Sequence, residues 1–316
     1  MKKIVVDILG ADADARVLAD GAISALEGQN EYDLIMVGPA EVITEAAAAC
    51  GDHIAERIEI VNVKDAFSNH DNPSKMALGD NSTSMARALS ILKEREDAAG
   101  LVSAGSTGAL MVGSIFRLGL FKGLMQPALS CALYNTKGGY FCMADCGANI
   151  NVKEKDLIDY ARMGSAFMSA MNGVENPAVG LLNVGREENK GTELLKSVWK
   201  KLDEDRSINF IGNIEGSDVL SGIADVVVCD GFTGNVLLKS LEACGLTAAK
   251  MAGNPENVVK FFSYNDQGGA TFLGTKKIIV KAHGAANELT MKACIEQVWK
   301  MECGCFTEKM AAAMDV

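Results

Sequence analysis

Short apolar runs alternate with longer segments of helical periodicity along most of the chain. The runs are rich in β-branched residues and end at glycine or polar residues, which is the pattern of buried strands. They predict strands at 3–8, 33–37, 57–63, 100–104, 127–133, 140–145, 178–183, 207–212, 224–229 and 276–282. The segments between them predict helices at 14–28, 40–50, 84–96, 108–121, 152–171, 191–204, 234–251 and 285–313.

The alternation of strands and helices predicts the fold class. Strands that are apolar throughout are typical of a mostly parallel sheet with both faces covered, so we expect a three-layer α/β/α protein. The helix at 152–171 is the most regular, and Asn151 stands where its N-cap is expected. In parallel sheets of this kind, ligands bind beyond the carboxyl ends of the strands.

Composition narrows the class of protein. With 316 residues, of which 48% are hydrophobic, the chain is expected to form one large domain over 1–316, with two lobes around a central cleft as the alternative. The net charge of −11 argues against nucleic acid or an anionic membrane as the main partner, although local basic patches stay open. Nine cysteines without a disulfide pattern, and no secretory or membrane-spanning segment, predict a cytoplasmic protein.

Glycine, hydroxyl and amide residues recur directly after five predicted strands. These segments are SAGSTG at 103–108, DCGAN at 145–149, NVGREENKG at 183–191, DGFTGN at 230–235 and HGAAN at 283–287. At 103–108 a strand, a tight turn and a helix start direct backbone N–H groups at one point, which favours an anion, with phosphate as the first candidate. Positive charge is available from Lys190, Lys239, Lys281 and His283.

Each segment also has a simpler structural interpretation. A Gly-Thr-Gly turn is ordinary strand-to-helix chemistry, and Asp145 and Asp230 are as well explained as caps of the segments that follow them. Lys239 fits a solvated helix face, and His53 and His70 lie in polar segments typical of the surface. His283 is the strongest single candidate for moving a proton, because an imidazole titrates near neutral pH.

Several strings carry a resemblance to a known family. They are VSAGSTGALM (102–111), ADCGANINV (144–152), GLLNVGREENKGTEL (180–194), INFIGNIEGSDVL (208–220), ADVVVCDGFTGNVLLKSLE (224–242) and KAHGAAN (281–287). They resemble the phosphate acyltransferase family of bacterial phospholipid synthesis (the PlsX family). The resemblance implies transfer of a fatty acyl group from acyl carrier protein to inorganic phosphate. It also implies an α/β/α fold like that of the isocitrate and isopropylmalate dehydrogenases, and a homodimer.

The residue pattern and the resemblance together give a set of expected roles. Phosphate binding is assigned to Ser103, Gly105, Ser106, Thr107, Gly108 and Lys281, and catalysis to His283, Lys190, Asn235 and Asp230. The acyl and oxyanion site is assigned to Asp145, Gly147, Asn149, Gly231, Thr233, Gly234 and Asn287. Phosphate is itself a nucleophile, so no metal and no cofactor are expected. The acyl donor is expected to be a thioester of acyl carrier protein or of coenzyme A.

The chain departs from the family pattern in several places. The usual DAMGGD-like start is DILGAD at 7–12, and Ser106 stands where asparagine is common. The usually basic segment before the Ser-Ser-Met motif is ALGDNSTSM at 77–85, with Lys75 as its nearest preceding cation. The helical insertion near 242–272 is shorter than in the family, so membrane association is not carried over.

These departures keep other functions open. One is the acetyl-phosphate-forming subunit of a glycine-reductase-type complex, in which Cys303 or Cys305 would carry an acetyl thioester. Two incidental cysteines in a terminal helix are the simpler explanation of that pair. Another is a non-catalytic relative that binds an acyl carrier. A dehydrogenase of similar fold is disfavoured, because no G-x-G-x-x-G follows the first strand.

Overall fold

The computed structural model describes residues 1–68, 71–253, 255–262 and 268–315. Eleven strands are found in these ranges. They are β1 (Lys2–Asp7), β2 (Tyr32–Gly38), β3 (Ile58–Asn62), β4 (Ala98–Ser103), β5 (Ala128–Tyr134), β6 (Tyr140–Ala144), β7 (Ala178–Leu182), β8 (Asn209–Ile214), β9 (Val226–Val228), β10 (Ala270–Leu273) and β11 (Ile278–Lys281).

Eleven α-helices lie between and after the strands of the described residues. They are α1 (Ala15–Ser24), α2 (Ala40–Cys50), α3 (Asp52–Ala55), α4 (Ser84–Glu94), α5 (Thr107–Gly113), α6 (Glu154–Asn172), α7 (Glu193–Glu204), α8 (Gly231–Ala252), α9 (Pro255–Phe262), α10 (Glu288–Cys303) and α11 (Phe306–Met314). A 3-10 helix at Pro73–Leu78 precedes α4, and a π-helical turn at Ser114–Leu118 continues α5.

The chain divides into two compact units. The first comprises Met1–Leu120 and Asn265–Cys303, and the second comprises Phe121–Tyr264 and Gly304–Val316. Both contain a mostly parallel arrangement of strands with helices packed against them, which confirms the predicted fold class.

The strands of the first unit follow the order β3-β2-β1-β4-β11-β10. All neighbours are parallel except β10, which runs antiparallel to β11. Every residue of β4 is buried, so both faces of this part of the sheet are covered. Gly100 allows α10 to approach, since a Cβ there would lie 2.6 Å from Cγ1 of Val298.

The strands of the second unit follow the order β5-β6-β9-β7-β8. The pair β5 and β6 is antiparallel, and the other neighbours are parallel. The carboxyl ends of β6, β9, β7 and β8 therefore lie at one edge of this sheet. The segments that begin at Asp145, Asp230 and Asn183 follow three of these ends.

Two local predictions were wrong, and one strand was missed. The strand β10 was not predicted, since most of it lies in the region near 242–272 that was assigned to the shortened insertion. The N-cap of α6 is Lys153 rather than Asn151, and the cap's backbone N–H is bound by Asp156. The predicted helix 285–313 is broken into α10 and α11 at Gly304, where a Cβ would overlap the carbonyl of Ala170.

The region predicted as a shortened insertion contains α8 and α9, which pack against each other. A Cβ on Gly245 of α8 would collide with the ring of Phe262. Residues 254 and 263–267 of this region lie outside the described residues, as does His70, whereas His53 is exposed as expected. Within the described ranges, no helix is both long and apolar enough to span a bilayer.

Candidate functional site

Three polar residues lie in register at the carboxyl ends of β1, β4 and β11. Asp7 pairs with Ser103, and Ser103 pairs with Lys281, on adjacent parallel strands. Ser103 Oγ donates to Asp7 Oδ2 at 2.8 Å and accepts from the Gly105 N–H at 3.2 Å. The strand register therefore places an acid, a hydroxyl and a base in one row beside the turn that follows β4.

Asp7 is a member of this row that the sequence analysis did not select as a site residue. Its side chain is fully buried, and burial raises the pKa of the carboxyl from 3.8 to about 6. The neighbouring hydroxyls of Ser84 and Ser103 and the Leu9 N–H act against that rise. Asp7 could have been selected from its position at the end of β1, but only if β1 had been known to lie beside β4.

The 103–108 loop leads directly into α5. Ser106 is the N-cap and makes no side-chain capping bond, while Thr107 and Gly108 are exposed. The first N–H groups of a helix have no acceptor within it and lie at the positive end of its dipole. This turn therefore presents backbone donors at the surface, as an anion site requires.

The loop is packed too closely for a side chain at Gly105. A Cβ there would lie 2.6 Å from the Met85 methyl and 3.4 Å from Ser103 Oγ. Gly10 approaches from the loop after β1, where a Cβ would lie 3.5 Å from the Gly105 Cα. These contacts give Gly105 a packing role whether or not a ligand also approaches it.

Lys281 places an amine beside the loop. Its side chain is buried, and Nζ donates to the carbonyls of Ala104, at 3.4 Å, and of Ala282. Burial lowers the pKa of the ammonium to about 8, and the charge of Asp12 opposes this shift. Both acceptors that this ammonium has among the described residues are neutral carbonyls, so its charge is suited to binding an anion.

The segment that follows β11 is tied to the loop after β1. Gly284 O accepts from the N–H groups of Asp12 and Ala13, at 3.0 and 3.3 Å. His283 Nδ1 accepts from the Ala285 N–H at 3.2 Å, which puts the proton of a neutral imidazole on Nε2. Asn287 caps α10, because its Oδ1 accepts from Thr290 N and Oγ1.

In the second unit, Asp145 organises the segment after β6. Its buried carboxylate accepts from the backbone N–H groups of Leu129, Gly147, Ala148 and Asn149 at 2.7–3.1 Å, and from Asn149 Nδ2 at 2.9 Å. Burial nevertheless raises the pKa of this carboxyl. Asn149 Nδ2 also donates to Pro127 O at 2.7 Å, so both N–H groups of this amide hold the protein together.

The glycines of DGFTGN are explained by the packing of α8 on that segment. A Cβ on Gly231 would lie 2.7 Å from Asn149 O, and one on Gly234 would overlap Asp145 O. Gly147 has a φ of +143°, and a Cβ there would lie 3.0 Å from Asn235 Nδ2. Close approach of two backbones therefore accounts for glycines that the sequence also allowed for a ligand.

Asp230 and Asn235 stand at the start of α8 with different surroundings. Asp230 caps the helix, since it accepts from Thr233 N at 2.9 Å and Oγ1 at 2.7 Å. Asn235 is exposed, and Nδ2 makes a long bond to Cys146 O at 3.4 Å. Among the polar side chains predicted here, Asn235 is the best placed to meet a substrate.

Lys190 lies in the segment after β7, which two buried asparagines hold. Asn183 Nδ2 donates to Lys190 O at 3.2 Å, and Asn213 Nδ2 donates to Glu187 O at 2.8 Å. The Lys190 ammonium is about half exposed and lies 3.9 Å from the Glu187 carboxylate. Lys239, on the exposed side of α8, pairs with Glu242 at 2.7 Å.

Two further observations concern the cysteine pair of the glycine-reductase alternative and the possibility of a metal site. Cys303 ends α10, and Cys305 precedes α11 with a left-handed φ of 54°, and both are exposed. Among the described residues, no group of three or more His, Cys, Asp or Glu side chains is arranged to hold a metal ion.

Sequence comparison relates this chain to proteins of known family. Residues 2–258 match the family described as "Fatty acid synthesis protein". The phosphate acyltransferase of Bacillus cereus is 37% identical, with 95% of this chain and 94% of that protein covered. That of Clostridium acetobutylicum is 36% identical, with 93% of each covered. The chain therefore belongs to the phosphate acyltransferase family. The predicted resemblance is thereby confirmed.

Structural comparison confirms the fold alone. A branched-chain phosphotransacylase from Enterococcus faecalis V583 has a TM-score of 0.64 at 16% identity, with 96% of this chain and 99% of that chain covered. A phosphotransacetylase from Streptococcus pyogenes has a TM-score of 0.66 at 15% identity, with 97% and 94% covered. A putative 4-hydroxythreonine-4-phosphate dehydrogenase from Salmonella typhimurium has a TM-score of 0.59 at 14% identity, with 95% and 99% covered.

Proposed function

We propose that this protein transfers an acyl group from a thioester to inorganic phosphate and releases an acyl phosphate. Membership of the phosphate acyltransferase family supports this activity. The observation that carries the proposal is the row of Asp7, Ser103 and Lys281 beside the 103–108 loop. It combines exposed helix N–H groups, a hydroxyl fixed by a buried acid, and an ammonium whose acceptors are neutral.

The first unit supplies the groups that phosphate needs. The N–H groups at Ser106, Thr107 and Gly108 bind the anion, and Lys281 offsets its charge. His283 orients the phosphate or takes up its proton. A phosphate oxygen then attacks the thioester carbonyl carbon, a tetrahedral oxyanion forms, and the C–S bond breaks. The acyl group leaves on phosphate, and the thiolate departs and takes a proton.

The oxyanion requires a donor where the negative charge develops. Within the second unit, Asn235 is our candidate for that donor, because it is exposed and makes one long bond. Asp145, Asn149, Gly231 and Gly234 form the packing behind it. Lys190 is kept as a candidate for charge balance, and Asp230 is proposed to act through the cap of α8.

The finer parts of the proposal rest on the family resemblance. They are acyl carrier protein as the thioester carrier, a long acyl chain, phospholipid synthesis as the use of the product, a cytoplasmic location and assembly as a homodimer. The shared chemistry is an acyl thioester and phosphate. Experiment must therefore decide whether the carrier is acyl carrier protein or coenzyme A, and whether the acyl group is long or is an acetyl group.

Trapping the product with hydroxylamine tests the activity. The purified protein is given phosphate with palmitoyl carrier protein, palmitoyl coenzyme A or acetyl coenzyme A, and the hydroxamate is measured. Phosphate-dependent palmitoyl hydroxamate is the expected result. Product from acetyl coenzyme A alone would contradict the long-chain assignment, and no product from any donor would contradict the activity.

A further inference from the structure

Arg117 ends the helix that the 103–108 loop begins. It lies in the π-helical turn Ser114–Leu118, which continues α5. Its Nε donates to Met76 O at 2.8 Å and its Nη2 donates to Asp80 O at 2.5 Å. The far end of this helix is therefore bonded to the segment that precedes α4.

The same guanidinium also reaches α4 itself. Its Nη1 donates to Asn81 Oδ1 at 2.6 Å, and to Ala86 O and Ser90 Oγ at 3.3 Å each. The Ser90 hydroxyl in turn donates to Asn81 Oδ1 at 2.8 Å. One planar group thus fixes three stretches of chain at once, which a flexible ammonium is poorly shaped to do.

The acceptors around Arg117 are neutral. The Asp80 carboxylate is bound instead by the N–H and hydroxyl of Ser82, at 2.9 and 2.8 Å. Among the residues that the structure describes, no carboxylate forms an ion pair with Arg117. The side chain is 9% exposed, and burial lowers the pKa of its guanidinium. The charge of the Asp80 carboxylate opposes this shift. A buried charge without an ion pair still costs free energy, so we expect Arg117 to have a role beyond packing.

The segments to which Arg117 donates also pack against the 103–108 loop. Pro73, in the 3-10 helix that also contains Met76, would touch a Cβ on Gly108 at 3.4 Å. Met85, in the first turn of α4, would lie 2.6 Å from a Cβ on Gly105. A shift of either segment would move the atoms that shape the loop.

We propose that Arg117 is a positioning residue that holds the 103–108 loop in its phosphate-binding form. It does this by joining the end of the helix after the loop to the two segments packed against the loop. This inference rests on the proposed function of the loop as a phosphate site. The inference adds Arg117 to the residues proposed to support phosphate binding, although Arg117 belongs to none of the segments that follow a strand.

The test compares two arginine-to-lysine variants. Arg117→Lys keeps the charge but loses the fork that reaches five acceptors. Arg57→Lys is the matched control, because Arg57 also donates to three backbone carbonyls, those of Leu26, Gln29 and Tyr32. Arg57 directly precedes β3, at the amino ends of the parallel strands and away from the 103–108 loop.

Phosphate binding is read from the rise in melting temperature with phosphate, and KM and kcat from acyl phosphate formation. We expect Arg117→Lys to weaken phosphate binding and to raise the KM for phosphate at least tenfold, with the KM for thioester within twofold. Arg57→Lys is expected to lower the melting temperature similarly and to leave both KM values within twofold. Asn81→Ala removes one acceptor of Arg117 at an exposed position, so it is expected to raise the KM for phosphate severalfold. This variant replaces Arg117→Lys in the test if Arg117→Lys does not fold.

The role of Arg117 would be contradicted if Arg117→Lys, or Asn81→Ala in its place, affected phosphate binding no more than Arg57→Lys. It would also be contradicted if phosphate had no effect on the melting temperature of the unmodified protein. Phosphate binding without acyl phosphate formation would contradict the proposed function alone. In that case the binding comparison between the variants still decides the role of Arg117.

Discussion

Ser103 Oγ donates a 2.8 Å hydrogen bond to Asp7 Oδ2, across two neighbouring parallel strands that are 96 residues apart in sequence. The same oxygen accepts from the Gly105 N–H and so fixes the turn that follows. The bond links Asp7, which is fully buried, to the loop proposed to bind phosphate. Five variants test this arrangement and the hydrogen bonds around Asp145 in the second unit.

We expect Ser103→Ala to weaken both stability and phosphate use. The substitution removes a donor from the buried Asp7 carboxyl and an acceptor from Gly105, at a cost of about 1–3 kcal/mol in the free energy of unfolding. The KM for phosphate is expected to rise about tenfold. Ser114→Ala is the control, because the bond that this buried hydroxyl makes within the described residues is to the Met111 carbonyl, one turn back in the same helical segment. Equal effects of the two substitutions on KM would contradict a role for Ser103 in the loop.

We expect Asp7→Asn to raise stability near pH 8. The pKa of Asp7 rises from 3.8 to about 6 on folding, so the folded protein binds this proton more tightly than the unfolded chain does. The free energy of unfolding then falls as the pH rises from about 4 to about 6, by about 3 kcal/mol for this one group. The amide carries no charge, so that loss is removed. Its single oxygen replaces only one of the two carboxylate acceptors, which bind Ser103 and the Leu9 N–H, and the lost bond reduces the gain.

Urea unfolding at pH 4.5 and pH 8 measures this effect. The gain at pH 8 is expected to be up to about 3 kcal/mol, with slower acyl phosphate formation. Asp203→Asn, at an exposed position in α7, is the control and is expected to leave the pH dependence unchanged. A variant that is less stable than the unmodified protein at pH 8 would contradict the cost assigned to the buried charge.

The pKa of Lys281, lowered to about 8 by burial, predicts how phosphate use depends on pH. As the pH rises through about 8 the amine loses its charge, so the KM for phosphate is expected to rise. Lys281→Arg keeps its charge at these pH values and is expected to flatten the profile. Parallel profiles for the two proteins would show that another group causes the change.

In the second unit, we expect Asn149→Ala to lower mainly the stability and Asn235→Ala to lower mainly kcat. Asn149→Ala removes donors from Asp145 and from Pro127 O, so the free energy of unfolding is expected to fall by about 1–3 kcal/mol. Asn235→Ala removes one long bond, so stability is expected to change little. Its kcat is expected to fall about 100-fold, the cost of one oxyanion donor. Urea unfolding and kcat, measured on both variants, test this, and an unchanged kcat for Asn235→Ala would remove that residue from the site.

The sequence predicted the parallel strands well, because buried strands carry continuous β-branched runs. It missed β10, which is four residues long and runs antiparallel to β11. It also joined α10 to α11, since the break at Gly304 depends on contact with Ala170, a residue distant in sequence. Local periodicity does not report such contacts.

The position of some candidate residues was predictable, because they directly follow the ends of strands. Ser103 and Lys281 were selected because parallel strands end at one edge, and the strand register shows that they are neighbours. Asp7 was not selected, because its importance depends on β1 lying beside β4. The sequence also left open whether Gly231 and Gly234 approach a ligand or a backbone, and their close contacts with Asn149 and Asp145 show the backbone approach.

The most direct test of the central claim is the rate at which free thiol appears from a palmitoyl carrier protein thioester, with and without phosphate. Attack by phosphate predicts that thiol release depends on phosphate, saturates, and is matched mole for mole by acyl phosphate. Thiol release at the same rate without phosphate, or without acyl phosphate as product, would contradict the account.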